Sequence, residues 1–279
     1  MYPTHESVAG LSLASRPRHL PCAKWSFWWV IFREQTWVTS RERRRLKRDE
    51  FGKYLRRARD VSILFVNDGS RDSTLMVLQQ LQSEIPAQID ILHLERNAGK
   101  GEAVRAGLLR AIRSPSAPYV GFWDADLATP LAAIDDLVGV LVNQPKIEMV
   151  FGSRVKLLGR DIDRRPSRHY LGRIFATCAS LALNLPVYDT QCGAKLFRAT
   201  PDLAQVLAAP FCSRWIFDVE LIARFLQLHA ADGKDMRNLI HEFPLHCWTD
   251  VPGSKVRPRD FLKAARDLLV IRNTYLKGH

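Results

Sequence analysis

The sequence predicts a single α/β domain built on a mostly parallel, doubly wound sheet with helices on both faces. Three observations carry that expectation. Strand and helix patterns alternate from residue 61 onward. Polar residues gather where three of the apolar runs end. The chain has 279 residues, 47% of them hydrophobic, enough for one large core, and no Pro/Gly/Ser-rich linker or internal repeat divides it.

Residues 62–66 (SILFV) form an apolar run that ends in Asn67-Asp68-Gly69, a turn signal, and residues 74–82 follow with helical spacing. The pattern repeats as strand 89–94, helix 101–113, strand 119–123, helix 131–142, strand 147–152 and helix 169–185. Ligands of such sheets bind at the carboxyl ends of the strands. Asn67-Asp68, Asn97 and Asp124-Ala125-Asp126 sit at those ends, a convergence that packing alone does not explain.

The formal net charge of +12 favours anionic partners: phosphorylated substrates, acidic lipid or nucleic acid. Arg41, Arg43, Arg44, Arg45, Lys47 and Arg48 form one basic run, which reads either as a solvated segment or as a patch for anionic headgroups. No aromatic residue interrupts it, which argues against single-stranded nucleic acid as the partner. Five cysteines, Cys22, Cys178, Cys192, Cys212 and Cys247, with no CxxC spacing, argue against a disulfide framework or a structural zinc site and for a reducing compartment. No stretch reaches the roughly 20 apolar residues of a membrane span. Residues 25–32 (WSFWWVIF) are too short to cross and read as a strand, a buried segment or an interfacial anchor. Residues 261–276 have amphipathic helical spacing, which suits packing on the domain or lying on a membrane surface.

Two carboxylates at i and i+2, Asp124 and Asp126, close an apolar strand and can share one hard divalent cation, Mg²⁺ or Mn²⁺, that bridges to substrate phosphates. By itself DxD is a weak signal. Gly69 permits a tight turn, Ser70 or Asp72 can cap the next helix, and Asp68 is left for a ligand hydroxyl or base. Asn97-Ala98-Gly99-Lys100-Gly101 lets backbone approach a nucleotide and offers the Lys100 charge, but lacks the spacing of a Walker A loop. Past residue 152 the cations Arg154, Lys156, Arg160, Arg164, Arg165, Arg168 and Arg173 outnumber Asp161 and Asp163, an excess that suits a phosphate. Lys255, in a Pro-Gly setting, offers a further cation on a loop that can close over the site.

The segments DGSRDST, ERNAGKGEAVRAG, DADLATP, FGSR, DTQCGAKLF and RWIFDVELI, in that order and spacing, resemble the family 2 glycosyltransferases, in the branch that acts on polyprenyl phosphates. WTDVPGSKV, residues 248–256, is most similar to dolichyl-phosphate glucosyltransferases. The resemblance spans roughly residues 47 to 275. It implies a GT-A (Rossmann-like) fold, a nucleoside-diphosphate sugar donor such as UDP-glucose, a polyprenyl phosphate acceptor and inversion at the anomeric carbon. Asp68, Asn97, Lys100 and Asp124 would bind the donor, and Asp124 and Asp126 the metal. Asp126, Asp189 and Asp218 match catalytic positions, with Gln191 and Glu220 as their companions. Arg154 would meet the acceptor phosphate, with Arg168 or Arg173 as the second arginine and Lys255 alongside. Cys192 reads as a small core residue, and His241 and His246 as strand residues outside catalysis.

Two departures stand out. The family's opening strand, ending in a Pro-x-Tyr-Asn-Glu-like motif, is not found, and Arg33-Glu34 is a poor substitute. Ala128 stands where mannosyl-transferring relatives often carry Gln. The expected division is therefore a divergent or extraneous segment 1–45, a glycosyltransferase domain 46–257 and a C-terminal amphipathic helix 258–279. The expected setting is cytoplasmic, peripheral at the inner membrane face. Competing readings are a relative with a different acceptor, an inactive or non-enzymatic basic surface binder, and a sugar-nucleotidyltransferase. The last would need a Gly-rich phosphate loop near its N-terminus, which is not seen.

Overall fold

The computed structural model describes residues 27–33, 47–114, 117–164, 166–231, 233, 235–250 and 258–276. The strands are β1 (Phe27–Arg33), β2 (Val61–Asp68), β3 (Ile89–Leu94), β4 (Tyr119–Asp124), β5 (Met149–Ser153), β6 (Asp161–Asp163), β7 (Ala194–Arg198), β8 (Ile240–Pro244) and β9 (Cys247–Thr249). The helices are α1 (Arg48–Arg57), α2 (Thr74–Glu84), α3 (Lys100–Ile112), α4 (Ala133–Asn143), α5 (Pro166–Leu183), α6 (Pro201–Val206), α7 (Phe217–Ala231) and α8 (Pro258–Tyr275). A seven-stranded sheet runs β3-β2-β1-β4-β7-β5-β8, and β6 pairs with β9 in a separate parallel ribbon. All pairings in the large sheet are parallel except those of β7, which runs against β4 and β5.

Both faces of the sheet are covered, which is why the strands read as continuous apolar runs. Side chains alternate between the faces. Ile63, Phe65, Tyr119 and Trp123 join Phe51 and Leu55 of α1, Leu78 of α2 and Leu137 of α4 on one side. Leu64, Val66, Val120 and Phe122 join Val104 of α3, Leu203 of α6, Ile222 of α7 and Leu268 of α8 on the other.

The aromatic run ahead of the basic segment resolves into β1, which lies between β2 and β4. Residues 27–33, within the expected N-terminal segment 1–45, thus supply an interior strand of the sheet, third in its order. The register sets Phe32 beside Asp124 and Arg33 beside Asn67, so β1 ends level with the polar ends of β2 and β4. Chain order reverses between β1 and β4, the switch point at which open α/β sheets bind ligands. Most of the basic run lies outside the described residues; Lys47 and Arg48 open α1.

Candidate active site at the carboxyl ends of the strands

Asp68, at the end of β2, is buried. Its carboxylate accepts hydrogen bonds from the backbone N–H of Ala98 (2.7 Å) and of Gly99 (2.9 Å), and its carbonyl accepts from Asn97 Nδ2 (3.2 Å). The sequence leaves this carboxylate for a ligand; the structure commits both oxygens to shaping the β3–α3 loop. Gly69 (φ +64°) makes that possible, since a Cβ there would stand 2.5 Å from the Arg96 carbonyl carbon. The loop delivers Lys100 to the start of α3, with Nζ 2.7 Å from Asp124 Oδ1. Asn97 is exposed, and its Oδ1 accepts from Arg214 Nη2 at 3.3 Å.

Asp124 ends β4, and its N–H donates to the Gly193 carbonyl (2.9 Å). A Cβ on Gly193 would lie 1.9 Å from Asp124 Oδ2, so only glycine leaves room for this carboxylate. The chain then turns tightly. The Asp124 carbonyl accepts from Leu127 N–H (3.1 Å), Asp126 Oδ1 accepts from Ala128 N–H (3.0 Å), and Trp123 Nε1 donates to the Thr129 carbonyl (2.7 Å). Leu127 takes φ +52°, a strained setting for a residue with a branched side chain. Burial, with the Asp124 carboxylate adding to it, holds the Asp126 carboxyl above the usual carboxylate range.

Past β5, Arg154 grips Asp189 with two parallel hydrogen bonds, Nε to Oδ2 at 2.6 Å and Nη2 to Oδ1 at 2.7 Å, while its own N–H donates to Oδ2 at 3.1 Å. Burial works against the charge on each partner, but the pairing wins, raising the Arg154 pKa and lowering that of Asp189. The Asp189 loop is held by Glu242 of β8, whose carboxylate accepts from the N–H groups of Tyr188 and Asp189, both at 2.7 Å. Arg154 also lies over the Trp248 ring, 5.3 Å from its centroid. Burial and the neighbouring Arg154 push the Arg164 pKa down, while Asp189 and Asp250 oppose them. Arg164 is thus a second cation beside the pair. Arg173 instead stacks on Tyr188, 3.6 Å from the ring centroid, and donates to its carbonyl. The Asp124–Asp126 turn and this arginine site share a wall, because Thr249 N–H in β9 donates to the Ala128 carbonyl (3.1 Å). The Arg168 side chain and Lys255 lie outside the described residues.

Asp218, expected among the catalytic residues, is buried in the first turn of α7. Its Oδ1 lies 2.6 Å from Nζ of the fully buried Lys195, which also donates to the Cys192 carbonyl (2.6 Å). Glu220 accepts from the N–H groups of Cys212 and Ser213 and from Arg224 Nη2, ordering the entry to α7. In this arrangement Asp218 is tied through Lys195 to the DTQCG segment, and Glu220 orders the start of α7. Burial pushes the Cys192 thiol up to about 11, which suits a core residue and not a nucleophile.

Residues 52–205 match the model of "Glycosyl transferase family 2", a stretch that holds Asp68, Lys100, Asp124, Asp126, Arg154 and Asp189. The chain belongs to glycosyl transferase family 2. Among similar proteins, a dolichyl-phosphate beta-glucosyltransferase of Trichomonas vaginalis is 33% identical over 221 residues, covering 77% of this chain and 61% of the relative. Those of Saccharomyces cerevisiae (31% over 232 residues, 77% and 65%) and Mus musculus (33% over 225 residues, 77% and 64%) are comparable. The chain thus spans less than two thirds of the length of these curated relatives. The mannosyltransferase PcManGT from Pyrobaculum calidifontis, solved with GDP-Man and Mn²⁺, superposes with a TM-score of 0.56 at 14% identity, covering 90% of this chain and 64% of that one. S. aureus TarS 1–349 with UDP gives 0.54 at 15% identity, covering 88% and 65%. At that identity they establish the GT-A fold.

Within this family 2 domain, Asp124 and Asp126 fit a hard divalent cation. Both offer only oxygen, they sit close enough for one to raise the other's pKa, and Asp124 already draws the Lys100 ammonium to itself. Sequence reading missed Lys195 and Glu242 and counted Arg164 only among a crowd of cations. Each acts through a partner far along the chain, and no local spacing signals that.

Proposed function

We propose that this chain transfers a hexose, glucose, from a nucleoside-diphosphate sugar such as UDP-glucose to a polyprenyl phosphate, with inversion at the anomeric carbon. The observation that carries the reading is the shared wall between an acidic donor turn (Asp124, Asp126, with Lys100) and a basic site (Arg154, Arg164, Trp248), joined through Thr249 and Ala128. An acidic turn suits a metal-bound diphosphate, and two arginines suit a phosphate. The likeness to dolichyl-phosphate beta-glucosyltransferases supports both the sugar and the acceptor class.

Asp124 and Asp126 would hold Mg²⁺ or Mn²⁺, which when bound neutralises charge developing on the departing diphosphate. Lys100, on the loop braced by Asp68, adds a positive charge on the donor side. Asp189 locks the Arg154 guanidinium in place, and Glu242 locks Asp189. Arg164, whose charge burial disfavours, gains most from an incoming phosphate. A phosphate monoester is already ionised near neutral pH, so its oxygen needs no general base. The protein's work is alignment and charge stabilisation. Asp189 and Asp218 then act by positioning.

Among the described residues no helix is long and apolar enough to cross a membrane. Tyr170, Leu171, Ile174 and Leu181 of α5 and Leu262, Leu269 and Val270 of α8 are exposed, while Ala264, Leu268 and Ile271 pack α8 on the core. We read these exposed residues as a surface for peripheral attachment at the cytoplasmic face of a membrane. The test is a donor screen in detergent with polyprenyl phosphate: UDP-glucose, UDP-N-acetylglucosamine and GDP-mannose, each with Mn²⁺ or Mg²⁺. Glucosyl phosphoryl polyprenol as the dominant product supports the reading. Transfer only to a neutral sugar acceptor overturns it.

A further inference from the structure

A second cluster of metal-ligating side chains lies at the other end of the sheet. Glu148 immediately precedes β5 and Arg154 follows it, so the two ends are separated by roughly 20 Å of extended strand. One atom each of Glu148, Asp202 and His229 can be chosen so that all three lie within 4.8 Å of one another. His229 Nε2 stands 3.3 Å from Glu148 Oε2 and 3.8 Å from Asp202 Oδ2. His229 is fully buried, yet among the described residues neither ring nitrogen takes part in a hydrogen bond, nor does Glu148 Oε2. A buried imidazole aimed at two carboxylates without hydrogen-bond geometry is an arrangement that calls for a ligand between them.

We propose that Glu148, Asp202 and His229 form a binding site for a divalent cation of the zinc class, separate from the transfer site. One imidazole nitrogen and two carboxylate oxygens are zinc ligands. Metal–ligand bonds of about 2.1 Å in a tetrahedron set ligand atoms about 3.4 Å apart, close to the two separations seen. The ligands sit on firm supports. Glu148 is pinned between strands, its N–H donating to the Leu239 carbonyl (2.8 Å) and its carbonyl accepting from Arg198 N–H (2.9 Å). Asp202 lies in the first turn of α6, which Thr200 caps, and the His229 ring near the end of α7 stacks on Phe225. The Glu148 and Asp202 side chains are 19% and 32% exposed, so an ion can enter from that side and water can complete its shell. A divalent charge balances the two carboxylates against a neutral imidazole. The cysteines argued against a structural zinc site; this one uses none of them. Its role would be to clamp β5, α6 and α7 together.

The test uses full-length protein carrying Asp124→Asn and Asp126→Asn, which removes the other carboxylate pair, stripped of metal with chelator. Titration with Co²⁺ should give one bound equivalent with the visible ligand-field bands of a low-coordinate site, displaced by Zn²⁺. His229→Gln in that background should weaken Co²⁺ binding by more than about tenfold, the least expected for a direct ligand. Asp202→Asn, nearer to solvent, should do the same and serves if His229→Gln does not fold. No bound Co²⁺, or binding unchanged by both substitutions, overturns the proposal. So does an unchanged His229 imidazole NMR titration with and without Zn²⁺, which would assign the cluster to a protonated imidazole paired with its acids. The readout is binding, so it is independent of whether the enzyme transfers glucose.

Discussion

Lys100 Nζ lies 2.7 Å from Oδ1 of Asp124, bridging the loop after β3 to the end of β4. Oδ2 of the same carboxylate faces the bare backbone of Gly193. Asp124 is therefore held between a lysine from α3 and the DTQCG segment, and both restraints follow from the fold. A divalent cation brought in with the donor would relieve the repulsion between Asp124 and Asp126 that Lys100 relieves in part here.

Gly193→Ala should fold and lose transfer. The new Cβ would sit 1.9 Å from Asp124 Oδ2, so the carboxylate must swing away from its place beside Lys100. Circular dichroism should match the parent, and kcat/KM should fall by about a hundredfold or more, as for loss of a preorganised charge contact. Activity close to the parent's would show that Asp124 has slack.

Asp126→Asn should abolish transfer and yet stabilise the metal-free fold. Burial and Asp124 raise the folded-state pKa of Asp126 above its unfolded value. The favourable contribution of such a group is present below the unfolded pKa and is lost as pH rises through the folded pKa. At neutral pH the ionised carboxylate is thus a liability that the amide removes. In chelator, the Tm of the variant should exceed that of the parent at pH 7, and the gap should shrink toward pH 3. A lower Tm at pH 7 would contradict the assignment.

Asp189→Ala leaves the Arg154 guanidinium buried without its partner, which costs about 3–5 kcal/mol. Denaturant unfolding would measure it. The Asp189 pKa is lowered, so its contribution is present above the unfolded carboxylate pKa and is lost as pH falls through the folded one. The parent should lose that increment below about pH 4, and the variant should not.

Arg164→Ala should raise the KM for polyprenyl phosphate by about ten- to a hundredfold, corresponding to the loss of one charge-assisted contact, and leave the donor KM near the parent's. Arg154, the arginine first expected to hold the acceptor, is a poorer probe: its removal also strands Asp189. Initial rates against both substrates decide. A shift confined to the donor KM would move Arg164 to the nucleotide side.

The strand–helix alternation from β2 to α5 was legible because it rests on side-chain periods of two and 3.6 residues along a continuous stretch. The polar strand ends were legible for the same reason, since Asp68, Asn97 and Asp124 each follow an apolar run directly. Tertiary structure decided the rest. Residues 25–32 suit a strand, a buried segment or an anchor equally well by local pattern, and only the hydrogen-bonding edges of β2 and β4 make residues 27–33 an interior strand of the sheet. Charged residues carry even less local information. Asp68 accepts from the N–H groups of Ala98 and Gly99, which no local pattern signals. Lys195 meets Asp218 inside the core and Asp189 closes on Arg154, pairings between residues far apart in the chain. A charge takes its role from its partner and its burial, and both are set by chain segments that only the folded topology brings together.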